Sequence, residues 1–285
     1  MASTEQFLET PLVCADLDGA RALVELAGWN QTAADWCIFL ELGQGFAIKD
    51  AQGRLGATAA TLPYASGFGW ISMVLVAQAL RHQGIATRLL GRCIEVLKSA
   101  GLVPVLDATP AGREVYKRLG FHDGWQIQRW RRTASVRQAA GVPRVRALTD
   151  ADWPALRKLD AAAFGCDRGP LLARLRARSG SFACVAGDRD SLRGFLLGRD
   201  GRTATQFGPI VAEDEATAVA LSSWAADRVA SPVIVDALQR HALVSQWLEA
   251  NGFEKERPYT RMALGQDELF GDPGLMTAIA GPELG

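Results

Sequence analysis

One order of helix-forming and strand-forming segments runs through this chain twice, and that repeat limits the fold more than any other feature. In the first half, Leu17, Ala20, Leu23, Val24 and Ala27 recur at helical spacing, predicting a helix over residues 16–26, with a second over 32–42. Strands are expected at 46–49 and 55–62, joined by the turn Asp50-Ala51-Gln52-Gly53, and then at 70–76. Ile85, Leu89, Cys93 and Leu97 mark a helix over 84–100 that Gly101 stops. A strand at 103–107, a helix at 111–119 and a closing strand at 125–131 complete the set.

From about residue 144 the order starts again. Helices are expected at 149–163 and 169–178, a hairpin from 182–185 and 194–197, a long strand at 205–211, a helix at 213–230 and a strand at 233–236. The ends match best: Leu119-Gly120-Phe121 is answered by Asn251-Gly252-Phe253, each ahead of a final strand, the second one near Tyr259-Thr260-Arg261-Met262. Helices alternating with hairpins and crossovers predict an α/β fold of the α+β mixed-sheet kind, a central sheet flanked by helices in each half. A chain of 285 residues is long for one core, so two domains are expected, 1–138 and 139–285, divided within the small and basic stretch 133–144.

Lysine plus arginine equals aspartate plus glutamate at 31 each, so no overall field favours nucleic acid or an anionic membrane. Cys14, Cys37, Cys93, Cys166 and Cys184 are scattered without a CxxC pair, and neither a metal site nor a disulfide framework is expected. The start MASTEQFLET has no secretory pattern, and no apolar run nears the roughly 20 residues that span a bilayer. These features point to a cytoplasmic protein with no membrane or nucleic-acid partner.

Chemistry concentrates where the strand Trp70-Ile71-Ser72-Met73-Val74-Leu75-Val76 leads through a short turn into Arg81-His82-Gln83-Gly84-Ile85-Ala86-Thr87. A strand that delivers the chain to a small-residue helix start leaves backbone N–H groups pointing one way, at the positive end of the helix dipole. Gly84 and Ala86 let phosphate oxygens approach the backbone. The stretch matches neither GxGxxG nor a Walker loop. It resembles the Arg/Gln-x-x-Gly-x-Gly/Ala motif of the GCN5-related N-acetyltransferase (GNAT) superfamily, and a second signature of that family, Tyr116-Lys117-Arg118-Leu119-Gly120-Phe121, follows after an intervening strand.

The resemblance implies two tandem GNAT-like domains and acetyl-CoA, or another acyl-CoA, as co-substrate. It places Arg81, Gln83, Gly84, Ile85, Ala86 and Thr87 at the pyrophosphate, with Val74 and Val76 beside the pantetheine. It also makes Tyr116 the general acid, since a phenol can protonate the departing thiolate. Thr109 stands where many relatives carry Asn, as a cofactor contact or simply a departure from the family pattern. Asp107, at a strand end, is read as a contact to substrate or to a bound water, or as a structural cap, and the general base stays open among Asp107, Glu41 and His82.

The segment between the first two helices, with Trp29, Asn30 and Gln31, suits an acceptor that has a polar group on an apolar body, or else is a cap at Thr32 with core tryptophans. The acceptor is expected to be a small-molecule or peptide amine; the oligomeric state is open, a homo-oligomer included. The alternative function is a non-catalytic acyl-CoA sensor or scaffold.

The matching turn of the second half, Val211-Ala212-Glu213-Asp214-Glu215-Ala216-Thr217, puts carboxylates where the first has Arg81 and Gly84, and Leu248 stands in the place of Tyr116. Like charge would repel a pyrophosphate there. The second copy is therefore expected to be degenerate, resembling bacterial tandem acetyltransferases. Its Arg199, Arg202 and Gln206 are read as lining an acceptor channel or as a solvated loop.

Overall fold

The computed structural model describes residues 7–134, 145–189, 191–230 and 232–285. Most of the expected linker, and the boundary at 138/139, lie outside the described residues. The chain forms two compact units, Met1–Pro63 with Gly67–Val105, and Tyr64–Ser66 with Leu106–Gly285. The division falls within the first repeat, and the strands of the second unit explain why.

Strands run in the order β1 (Leu8–Pro11), β2 (Gln44–Lys49), β3 (Leu55–Tyr64), β4 (Phe68–Val76), β5 (Val103–Ala108), of which Tyr64 and Leu106–Ala108 fall in the second unit and the rest in the first. The hairpin turn forms where expected: Asp50 accepts the N–H groups of Gln52 (2.9 Å) and Arg54 (2.8 Å), and Gly53 adopts φ 77°. Helices α1 (Leu17–Leu26), α2 (Ala33–Leu42) and α3 (Ile85–Ser99) keep the expected faces, with Leu23, Val24, Ile85, Leu89, Cys93 and Leu97 buried. Strand β1 went unforeseen because four residues hold too little periodicity to read.

The second unit contains α4 (Pro110–Arg118), β6 (Phe121–Arg132), β7 (Val145–Ala147), α5 (Trp153–Phe164), α6 (Gly169–Ser179), β8 (Cys184–Asp188) and β9 (Ser191–Arg199). It continues with β10 (Thr205–Ala212), α7 (Glu215–Ala226), β11 (Val233–Leu238), α8 (Ala242–Ala250), β12 (Glu254–Leu264) and β13 (Met276–Ala278). Strands follow the order β12, β6, β11, β13, β10, β9, β8, β7, and β12 adjoins the end of β5.

The closing strands of the two repeats have exchanged places. Strand β6, from the first repeat, lies antiparallel to β11 of the second, with Arg129 opposite Asp236, and its other edge takes β12. Strand β12 in turn stands beside β5. Buried ion pairs lock both positions. Arg129 meets Asp236 through two bonds of 2.7 and 2.8 Å, with side chains 4% and 0% exposed, and Gln206 adds a third bond at 3.0 Å. Arg261 meets Asp107 at 2.9 and 3.0 Å, again almost without exposure.

Arg199 and Gln206 correct the expectation of a channel or solvated loop. Arg199 is buried in β9 and bonds Glu283 and the Ala280 carbonyl, while Gln206 is buried in β10. A buried guanidinium needs a partner, and the C-terminal segment provides it.

Breaking a buried pair leaves an uncompensated charge, which costs about 3–5 kcal/mol. Asp236→Ala should lower the unfolding free energy by that order, read from urea titration followed by circular dichroism. Cutting the chain after residue 138 removes both β11 and β12, leaving β6 with neither partner, so that fragment should show no cooperative unfolding transition.

Candidate active site

Strand β4 pairs in parallel with β5 over three positions, Phe68↔Val103, Gly69↔Pro104 and Trp70↔Val105. Three residues further on, Met73 takes φ 54°, a left-handed conformation that a non-glycine side chain rarely adopts. Such a bend re-aims the strand and changes which backbone groups face outward.

The turn that follows is built for exposed N–H groups. A 3-10 turn, Gln78–Leu80, leads to Arg81 in extended conformation, then His82 at φ 63° and Gly84 at φ 76°. Gly84 is the N-cap of α3 and carries no side-chain cap. Within the helix ladder the first bond back is Arg88 N–H to the Gly84 carbonyl at 2.9 Å, so the N–H groups of Ile85, Ala86 and Thr87 precede it. No atom lies within 4 Å of where a Cβ on Gly84 would stand.

Ile85 is buried and anchors the turn, whereas Arg81, His82, Gln83, Gly84, Ala86 and Thr87 are exposed. Arg81 Nε donates to the Val76 carbonyl at 3.3 Å and Gln83 Nε2 to the Ala79 carbonyl at 3.1 Å. Both side chains are thereby folded onto the turn itself.

A groove of about 610 Å³ runs along β4 to this turn, lined by Leu23, Leu26, Trp29, Val74, Val76 and Arg81. Gly28 ends α1 at φ 67°, and Trp29 N–H reaches back to the Val24 carbonyl at 3.0 Å, which sets the tryptophan on the groove. Thr32 caps α2 in a box with Asp35, whose Oδ2 accepts from Thr32 N–H (2.7 Å) and Oγ1 (3.1 Å). Trp36 is a core residue at 0% exposure. The two readings of this segment thus divide: capping and core from Thr32 to Trp36, groove wall at Trp29. Asn30 and Gln31 are buried, and Gln31 Oε1 has no hydrogen-bond partner among the described residues.

Asp107, Thr109 and Tyr116 belong to the second unit. Asp107 lies inside, both oxygens committed to Arg261; burial pushes its carboxyl above the usual range while Arg261 pulls it back. Thr109 is the N-cap of α4, its Oγ1 accepting from Gly112 N–H at 3.3 Å, and Pro110 opens the helix. Tyr116 is half-buried on α4 with its ring tilted against Phe121 at 5.9 Å. A Cβ on Gly112 would come within 3.0 Å of that ring, so glycine there leaves room for the tyrosine. Of the candidate bases, Asp107 is enclosed, while His82 and Glu41 are exposed.

In the second repeat the corresponding strands, β10 and β11, also pair in parallel over three positions, Thr205–Phe207 with Val233–Val235. Beyond them β13 is wedged in, pairing Ile210 and Val211 on one side and Ala237 on the other. The helix start is closed too: Asp214 Oδ1 accepts from Thr217 N–H at 2.7 Å, and Arg193 bridges Glu213 and Asp214. Leu248, in the tyrosine position, is buried in the core. Sequence reasoning saw the carboxylates but missed β13, because three residues carry no readable pattern.

The bond from Thr217 N–H holds the Asp214 carboxyl below the usual carboxylate range. A folded-state value below the unfolded one gives stability that is present above about pH 4 and is lost as pH falls through the lowered value. Asp214→Asn keeps the cap but not the titration, so its urea midpoint should drop less between pH 7 and pH 3 than that of the parent.

Two stretches of the chain match known families. Residues 19–121 match the Acetyltransferase (GNAT) family and residues 156–275 an Acetyltransferase (GNAT) domain. An uncharacterized N-acetyltransferase of Bacillus subtilis, YitH, is 24% identical over 187 residues, which are 65% of this chain and 66%, just under two thirds, of that protein's length. The crystal structure of a candidate acetyltransferase from Pyrococcus horikoshii superposes with a TM-score of 0.81 at 18% identity, covering 100% of this chain and 98% of that one. A tandem GNAT protein from the clavulanic acid biosynthesis pathway gives 0.64 at 12%, covering 93% and 100%. Among the described residues no cluster of side chains could hold a metal ion, and no helix is long and apolar enough to cross a membrane. With both repeats matched to one family and the fold shared over the whole chain, this protein belongs to the GNAT superfamily as a tandem GNAT-type member.

Proposed function

We propose that this chain is an acyl-CoA-dependent N-acyltransferase acting on a small-molecule or peptide amine, with its chemistry in the first repeat, residues 1–138, and none in the second, 139–285. The observation that carries the reading is the turn from Arg81 to Thr87. Two left-handed residues, His82 and an open Gly84, precede three helix-start N–H groups, a donor set at the end of a helix worth about half a positive charge. A pyrophosphate fits that chemistry. Arg81, Gln83, Gly84, Ile85, Ala86 and Thr87 would hold it, and the groove beside Val74 and Val76 would take the pantetheine arm. Thr109 is already engaged as a cap and is left out of the cofactor set.

Coenzyme A brings the acyl group as a thioester, whose carbon is open to an amine. The amine nitrogen forms the new C–N bond, the C–S bond breaks, and the sulfur takes a proton from the Tyr116 hydroxyl. The proton lost by the amine passes to solvent, from which the Tyr116 phenolate is reprotonated; no side chain is assigned as base. Trp29 supplies apolar surface for the acceptor, with Asn30 and Gln31 beside it in the chain. The unsatisfied Gln31 Oε1 is an acceptor that an amine N–H would complete. Asp107 is not assigned to substrate, since Arg261 occupies it.

Calorimetry with acetyl-CoA should give one site per chain, because β13 and the Asp214 cap fill the second copy. Gly84→Glu should abolish that binding, since a side chain would enter the open space and repel phosphate; intact affinity would place the pyrophosphate elsewhere. Tyr116→Phe should leave affinity intact and lower turnover about tenfold to a thousandfold in a thiol-release assay over an amine panel. Binding with no thiol release for any amine would favour a sensor over an enzyme.

A further inference from the structure

We infer that the second repeat completes the catalytic repeat by positioning Tyr116 through strand β12, with Arg261 as the anchoring residue. This rests on Tyr116 being the general acid.

Helix α4, which carries Tyr116, has no buried residue of its own. Along its length it is tied to β6 of its own repeat, where Arg113 and Lys117 meet Asp123, and its two ends are tied elsewhere. Both ends are held by β12 and the residue that follows it. At the start, Arg261 grips Asp107 with two bonds, and Asp107 stands two residues before the N-cap Thr109. At the finish, Gly265 N–H donates to the Gly120 carbonyl at 2.9 Å, and Leu264 stands opposite Phe121, whose ring meets that of Tyr116.

Arg261 falls at an irregularity in the β12–β6 pairing, between Thr260 and Met262, where the ladder gains a residue on one side. Irregularities of this kind redirect a side chain off the regular alternation. The guanidinium also lies 4.9 Å from the Trp125 ring centroid, so it is clamped on a second side. The other titratable groups near this pair are already engaged: Asp236 of β11 by Arg129 of β6, and the Tyr64 hydroxyl by its bond to the Leu284 carbonyl. Arg261 is therefore the cation committed to Asp107, and losing it frees the end of β5 from which α4 starts.

The test is a double-mutant cycle on the full chain. Arg261→Met and Tyr116→Phe are made singly and together, with Arg261→Lys as the conservative variant. Thiol release gives kcat and KM, acetyl-CoA calorimetry reports the turn in the first unit, and thermal melts report folding. If β12 acts through Tyr116, Arg261→Met lowers kcat about tenfold to a hundredfold with acetyl-CoA affinity unchanged. Adding it to Tyr116→Phe then costs almost nothing further. Arg261→Lys should recover part of the rate. Equal, additive losses in both backgrounds would overturn the positioning role and leave Tyr116 as the acid. A Tyr116→Phe variant with full turnover would instead overturn the reading of Tyr116, and this inference with it. If Arg261→Met does not fold, Arg261→Lys carries the same cycle.

Discussion

Strand β6 is hydrogen-bonded on both edges to strands of the other repeat, and the arrangement of the second unit follows from that pairing. An edge left open there would expose a row of unpaired backbone groups across twelve residues, Phe121–Arg132. The bidentate pair between Arg129 and Asp236 pins the register: a slip of one residue would turn Arg129 to the other face and leave Asp236 buried and unpaired. For this reason the compact division of the chain falls within the first repeat, inside β5, instead of at the junction between repeats.

The two repeats use one local geometry to opposite ends. In each, a pair of strands runs parallel over three positions, and in the second repeat the edges beyond them part. In the second repeat β13 takes up the freed edges, and Asp214 closes the helix start with a carboxylate of its own. In the first, Gly84 leaves the equivalent helix start open. A helix N-terminus favours an anion of either kind, and what differs is whether the chain provides it.

Charges inside the second unit are expensive unless matched, and the matching crosses between repeats. Arg129 and Arg261 stand at the same place, each eight residues beyond the phenylalanine of a Gly-Phe pair, and each finds its carboxylate in the opposite repeat. The same pairs could form within a repeat, so the salt bridges stabilise the exchange without choosing it; strand adjacency does that. Arg168 with Asp160, and Arg199 with Glu283, extend the buried set toward the C-terminal segment.

Much of the fold was legible because helices and longer strands announce themselves by periodicity. Ile85, Leu89, Cys93 and Leu97 marked one face of α3, and the Gly-Phe pairs marked the repeat. The glycine turn and the carboxylates that replace it were legible for the same reason, being local features of a strand running into a helix. Strands of three or four residues, such as β1 and β13, were not, since too few side chains alternate to be read. The sequence by itself thus determined the order of elements, the duplication and which copy keeps an open helix start, all of which depend on neighbours along the chain. Only the tertiary structure decided that β6 and β12 change places, that Asp107 is spent on Arg261, and that Arg199 and Gln206 lie inside. Those outcomes depend on pairing between residues 30 or more apart, such as Gln206 with Asp236, Arg199 with Glu283 or Asp107 with Arg261, and on the need to match buried charge, which no local pattern records.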